Sequence, residues 1–107
     1  MEEYSINIAE EFSPVLGGRW IRLGEFSGEE FYNRILKRKF EEALSSSNKI
    51  NIYLDGTRGY GSSFLDQSFG ELARQFGLDK VEGTLIFHTQ YFGWVVKYIN
   101  EEIWQKK

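Results

Sequence analysis

The sequence predicts an α/β fold: one small mixed sheet of about four strands, ordered β-β-α-β-α-β-α, with helices packed mainly on one face. Three observations lead there. Short runs rich in β-branched and aromatic residues, at 4–8, 19–23, 50–54 and 84–87, read as strands. Longer stretches after positions 27, 62 and 91 repeat apolar residues at helical spacing. The first two strands are joined by too few residues for a helical crossover, so that pair is expected to be antiparallel; each later strand is reached through a helix and is expected to lie parallel.

Taken in order, Tyr4–Ile8 places Tyr4, Ile6 and Ile8 on one face of an edge strand. Pro14 and Gly17-Gly18 mark a turn, and Arg19–Leu23 then returns as the second strand, with Trp20 or Ile21 and Leu23 inward. Ser27-Gly28-Glu29-Glu30 is a capping box in which Ser27 caps and Glu30 reaches back to the Ser27 N–H. The helix it opens runs to about Leu44. Its inward set is Phe31, Ile35, Leu36, Phe40, Ala43 and Leu44. Lys37-Arg38-Lys39, balanced by Glu29, Glu30, Glu41 and Glu42, reads as a solvated face.

Ile50–Leu54 is the central strand, stopped by Asp55-Gly56. Gly56, Gly59 and Gly61 make the next segment a tight loop. Ser62 or Ser63 can cap the helix that follows, and Asp66 suits the positive end of its dipole. Leu65, Phe69, Leu72, Ala73 and Phe76 form its buried face, and Gly77 ends it. Asp79–Gly83 reads as a loop and Thr84–Phe87 as a buried strand. A last helix covers Tyr91–Trp104, with Phe92, Val95, Val96, Ile99 and Ile103 inward and Lys106 and Lys107 at its negative end.

At 107 residues the chain reads as a single domain, 1–107, with nine Phe, six Tyr and three Trp to fill a modest core. A net charge of −3 gives no electrostatic case for nucleic acid. With no cysteine, disulfides and thiolate zinc sites are excluded. Met1-Glu2-Glu3 is acidic and no long apolar run follows, so neither a signal peptide nor a membrane span is expected, and the cytoplasm is the default compartment.

Strand ends that meet helix starts form the working rim of an α/β sheet. Here the rim holds Asp55, Arg58, Tyr60, Ser62, Ser63 and His88. Its glycines lack the P-loop lysine and do not match the dinucleotide fingerprint, so they serve a turn before they serve a phosphate. A Ser62 or Ser63, His88, Asp55 triad has the residue types but no nucleophile-elbow pattern. A protein-binding module needs no catalytic group, and Tyr60, Tyr91 or Trp94 could anchor a partner or equally belong to the core.

The run Leu54-Asp55-Gly56-Thr57-Arg58-Gly59-Tyr60-Gly61-Ser62-Ser63-Phe64-Leu65-Asp66-Gln67-Ser68-Phe69-Gly70-Glu71-Leu72 resembles the signature of STAS-like domains of unknown function, distant relatives of anti-sigma-factor antagonist domains. Phe26-Ser27-Gly28-Glu29-Glu30-Phe31 is similar to the family's helix-opening motif, and Ser13-Pro14 with Gly18-Arg19 to its N-terminal turn, so the resemblance runs over nearly the whole chain. It implies a STAS-like fold and a non-enzymatic regulatory domain without cofactor or metal. The implied partner is a histidine-kinase-like ATPase or another signalling protein. The implied binding or regulatory residues are Asp55, Arg58, Tyr60, Ser62, Ser63 and Asp66. In the antagonists a serine at the start of this helix is phosphorylated; Ser63 matches that position, although Gly61 stands where they carry Asp and Phe64 where they carry Gly. The two serines are therefore caps or a switch. The alternative function is a small hydrolase or nucleotide-binding domain using the Asp55–Ser63 rim.

Overall fold

The computed structural model describes residues 4–105. Three strands, β1 (Tyr4–Asn7), β2 (Ile50–Tyr53) and β3 (Leu85–His88), form one sheet in the order β1-β2-β3, and both pairs are parallel. The helices are α1 (Ile8–Glu11), α2 (28–45), α3 (62–76), α4 (Leu78–Thr84) and α5 (93–103). Each of the three long helices contains one π-helical turn, at Tyr32–Leu36, Asp66–Gly70 and Ile99–Ile103.

Register explains the layering. Tyr4, Ile50 and Leu85 lie side by side, as do Ile6, Ile52 and Phe87. In parallel strands such neighbours share a face. On this face Ile6, Ile50, Ile52, Leu54 and Leu85 are buried, and Phe87 packs against Phe69 of α3 and Trp104 beyond α5. The other face carries Ser5, Asn51 and Ile86 in one row and Asn7, Tyr53 and His88 in the next, all half-buried or exposed. Successive strands step in one direction, so right-handed crossovers put their helices on one side.

The expected antiparallel hairpin is not formed, and the sheet has three parallel strands instead of a mixed four. The main chain of 17–19 is used by the start of α2. The Gly17 N–H donates to the Phe26 carbonyl, the Gly28 N–H to Gly18 and the Glu29 N–H to Arg19, at 2.8, 2.8 and 3.0 Å. Ile21–Leu23 then closes into a 3-10 turn and leaves Leu23 72% exposed. The alternation there reads as a strand, but its hydrogen-bonding groups already have partners. β1 also ends one residue early: the Asn7 side chain accepts the Glu10 N–H at 3.1 Å and opens the short α1, which the sequence reading left inside a connection.

Two further boundaries differ. Asp79–Gly83 lies within α4 and is not a loop. Gly77, with φ +95°, ends α3 by donating to the Ala73 carbonyl at 2.9 Å and at once becomes the residue from which α4 starts. A left-handed glycine suits that double duty. α5 starts at Gly93, two residues later than its apolar period suggests. Lys106 and Lys107 lie outside the described residues.

The helix faces agree closely with the periodic reading. Phe31, Leu36, Phe40 and Ala43 of α2, Leu65, Phe69 and Leu72 of α3, and Val95 and Ile99 of α5 are buried. Ile35, Leu44, Ala73, Phe76, Phe92, Val96 and Ile103 are partly buried against them. Tyr32 was not expected inside. It lies four residues before Leu36 and eight before Phe40, on their side of the helix, and is buried with them. Its hydroxyl has no hydrogen-bond partner among the described residues, and burial with the nearby Glu71 and Glu41 charges pushes its pKa up to about 12. Between α2 and α3 the contact is close at Gly28, where a Cβ would lie 2.5 Å from the Phe64 carbonyl oxygen. Phe31 can therefore stack on Phe64 at 5.7 Å and meet Phe69 edge-on at 6.1 Å.

The cap at α2 is made as expected in one half. Ser27 Oγ accepts the Glu30 N–H at 3.1 Å, and Ser27 is 1% exposed. Glu30 reaches back one residue further than expected, accepting the Phe26 N–H at 3.2 Å. Ser27→Ala should then cost about 1 kcal/mol in urea melts; an unmoved midpoint would show that the arm supports the helix start without it. Phe69→Ala, which removes the ring joining Phe31 of α2 to Phe87 of β3, should cost about 3–5 kcal/mol by the same measurement.

Candidate functional site

The rim where β2 and β3 meet their helices is organised by Asp55. Its carboxylate accepts from Thr89 Oγ1 at 2.7 Å, the Gln90 N–H at 2.6 Å and the Tyr91 N–H at 3.1 Å. Thr89 Oγ1 in turn accepts the Phe92 N–H at 2.8 Å, just before α5. The hydrogen bond from Thr89, helped by the two N–H groups and opposed by partial desolvation, holds the Asp55 carboxyl below its ordinary pKa. This residue thus ties the end of β2 to the loop after β3. Thr89 carries no capping signal in the sequence, because it lies four residues before Gly93, the first residue of α5, and Phe92 holds the N-cap position.

Tyr60 is also built into the structure. Its hydroxyl donates to the Leu54 carbonyl at 2.7 Å, its ring meets Phe92 edge-on at 5.2 Å, and it is buried. Burial raises the phenol pKa, the Asp55 charge adds to that, and Thr57 works against it. As an exposed anchor for a partner, Tyr60 is corrected: it is core. The other two candidates, Tyr91 and Trp94, are exposed, at 72% and 54%.

Arg58 donates its N–H to the Pro14 carbonyl at 2.9 Å, and the residue is exposed. Ser62 and Ser63 open α3, but neither caps it. Gly61 is the N-cap residue and no side chain bonds the first turn. Ser62 is exposed and Ser63 half-buried. The expectation of a serine cap fails because helical geometry begins at Ser62 itself, and an N-cap side chain must come from the residue before.

Asp66 faces away from the loop. Its carboxylate pairs with Arg19 at 2.6 Å and Arg74 at 3.1 Å, and Arg74 also bonds the Asp66 carbonyl at 3.0 Å. Arg19 reaches Gln67 as well, at 3.4 Å. Burial of Asp66 opposes its ionisation, but the bonds and charges of Arg19 and Arg74 outweigh it and leave the carboxyl below its usual range. The role is to fasten the N-terminal arm to α3, a pairing of residues 47 apart that local sequence cannot announce.

His88 sits on the uncovered sheet face. Its Nε2 is 2.7 Å from Asn51 Oδ1, and its ring stacks on Tyr53 at 4.7 Å. This is the ordinary strand-end hydrogen bond expected. Among the described residues His88, Asp55 and the two serines form no hydrogen-bonded chain, since Asp55 holds the β3 loop and His88 holds Asn51. No group of three or more His, Asp or Glu among the described residues could hold a metal, and no helix there is long and apolar enough to cross a membrane. Of the basic cluster, Lys39 bonds the Ser5 carbonyl and pairs with Glu11, while Lys37 and Arg38 are exposed. Arg38 and Lys39 line an open groove of about 430 Å³ with Glu11, Arg34, Ile35 and Glu42, away from the rim.

The Asp66 pairs give a pH dependence. A carboxylate with a depressed folded pKa stabilises the fold fully above its unfolded value, near 3.9, and loses that contribution as pH falls through the folded value. Asp66→Asn should therefore cost about 1 kcal/mol at pH 7. In urea melts the gap to the wild type should close on acidification toward about pH 3. A gap of constant size down to that pH would show that the ion pairs are not its source.

No curated protein and no solved structure matches the chain. The model of one family, the STAS-like domain of unknown function (DUF4325), matches residues 27–89, more than half of the sequence. The match begins at the Ser27 cap and ends at Thr89, so it takes in α2, β2, the glycine-rich loop, α3, α4 and β3. The N-terminal arm and α5 lie outside it. On that match, the chain belongs to the family of STAS-like domains of unknown function.

Proposed function

We propose that this chain is a non-enzymatic regulatory and protein-interaction domain that binds a signalling protein through the loop and helix start around Ser62 and Ser63. One observation carries the reading. These serines open a long helix, and neither lies at its N-cap position, which Gly61 holds, so capping does not require their hydroxyls. Residues at the positive end of a helix are then open to be read by another molecule. The exposed Tyr91, on the loop held by Asp55, and the exposed Trp94, in the first turn of α5, add aromatic groups of the kind that anchor protein interfaces. The similarity of this junction to anti-sigma-factor antagonists points to a histidine-kinase-like ATPase or a related signalling protein as partner. A phosphate on Ser63 would change the charge of the surface by about −1.5 to −2 and so regulate the contact.

The test separates stability from recognition. Because Ser63 does not cap, Ser63→Ala should shift stability by less than about 0.5 kcal/mol. Ser63→Asp should hold or gain about 0.3–1 kcal/mol from the helix dipole. With a partner isolated by affinity capture from the native cell, calorimetry should show binding at least about tenfold weaker for the Asp variant alone, a loss near 1.4 kcal/mol. Equal affinities for the wild type and both variants would sink the proposal.

A further inference from the structure

The two outer edges of the sheet are finished differently. On β1 the outward main-chain groups are those of Ser5 and Asn7. The Ser5 carbonyl accepts from Lys39 Nζ at 2.7 Å, and the Asn7 N–H donates to Glu11 Oε2 at 2.8 Å. Lys39 and Glu11 are themselves paired at 3.0 Å. Charged side chains therefore close that edge, a common defence against the addition of strands. β3 forms the other edge. The Leu54 N–H donates to the His88 carbonyl at 3.1 Å, so His88 and, by the strand period, Ile86 turn their main chain toward β2. Leu85 and Phe87 turn theirs outward. The Leu85 N–H is taken by the Val81 carbonyl. Among the described residues nothing bonds the Leu85 carbonyl, the Phe87 N–H or the Phe87 carbonyl. Beside them, on the uncovered face, Ile86 is 38% exposed.

We infer that β3 is a self-association edge, at which two copies of this chain pair their β3 strands antiparallel about a two-fold axis through Ile86. That register sets Leu85 of one copy opposite Phe87 of the other. The free Phe87 N–H then meets the free Leu85 carbonyl, twice by symmetry. It also sets the two Ile86 residues directly opposite at a non-hydrogen-bonded position, where antiparallel neighbours lie closest, so each exposed side chain covers the other. The edge is thus its own complement in donor, acceptor and apolar group, which favours a second copy over an unrelated strand. The closed β1 edge stops further growth, and two three-stranded sheets become one continuous sheet. A four-residue strand covers far less than the roughly 800 Å² per partner of a standard interface, so the dimer is weak and reversible.

Sedimentation equilibrium up to roughly 1 mM, where weak contacts populate, should show a monomer–dimer equilibrium for the wild type. Ile86→Lys should stay folded by circular dichroism, since the position is exposed, and should weaken the dimer at least tenfold because two ammonium groups would meet on the axis. The chain has no cysteine, so Ile86→Cys introduces a single thiol. Under mild oxidation it should form disulfide dimers at least tenfold faster than Leu23→Cys, an exposed position on the N-terminal arm. A wild type that remains monomeric throughout, a dimer that Ile86→Lys leaves intact, or equal cross-linking by the two cysteine variants would each overturn the inference. Ser63→Asp should leave the dimer unchanged, which keeps this result separate from the partner-binding reading.

Discussion

The structure depends on how closely α2 and α3 approach each other at their N-terminal ends. Gly28 makes that possible, because any Cβ there would run into the Phe64 carbonyl. Once the two backbones meet, Phe31 stacks on Phe64 and contacts Phe69, and Phe12 closes on Phe31 from the arm at 5.3 Å. Phe69 then hands the aromatic contacts on to Phe87 and Trp104, whose indole N–H donates to the Phe69 carbonyl at 3.0 Å. Close-packed interiors pass such a constraint along, since a core that is dense everywhere cannot give at one place alone.

The same approach decides what happens to the N-terminal arm. With α2 beside the start of α3, Arg19 comes within reach of Asp66, and the main chain of 17–19 is spent on the first turn of α2. β1 is left to pair with β2, and the sheet becomes wholly parallel. Parallel sheets usually have both faces covered. This one has its three long helices on one side and Ser5, Asn51, Tyr53, Ile86 and His88 on the other, which makes the outer face and the β3 edge the parts of the sheet with the least protein against them.

At the rim, residues of one chemical type divide by position. Asp55 and Asp66 both have depressed pKa values, but Asp55 holds a neighbouring loop through hydrogen-bond donors and Asp66 holds a distant arm through two guanidinium groups. Ser27 caps a helix while Ser62 and Ser63, in an equally plausible local setting, do not. The difference is one of position: Ser27 directly precedes its helix and can cap it, whereas Ser62 and Ser63 already lie inside theirs.

Local physics was sufficient to read much of this from the sequence. The apolar periods of α2, α3 and α5, the strand at Ile50–Tyr53, the Ser27 cap and the stop at Gly77 each depend on residues within a turn or two of one another, and the chain carries those signals directly. The resemblance over Leu54–Leu72, with its core at Gly59–Leu65, likewise pointed to the family to which the chain belongs. What the sequence could not settle were choices between competing partners. Arg19–Leu23 alternates like a strand, yet its main chain went to α2. Tyr60 reads equally as a surface anchor or as core, and the bond from its hydroxyl to the Leu54 carbonyl places it in the core. Asp55 is legible as a rim residue at the end of β2, but its three donors come from the loop after β3, more than thirty residues away. A hydrogen-bonding group is specified by its residue, but which of several possible partners it meets is set by the packing of distant segments, and only the tertiary structure decides that.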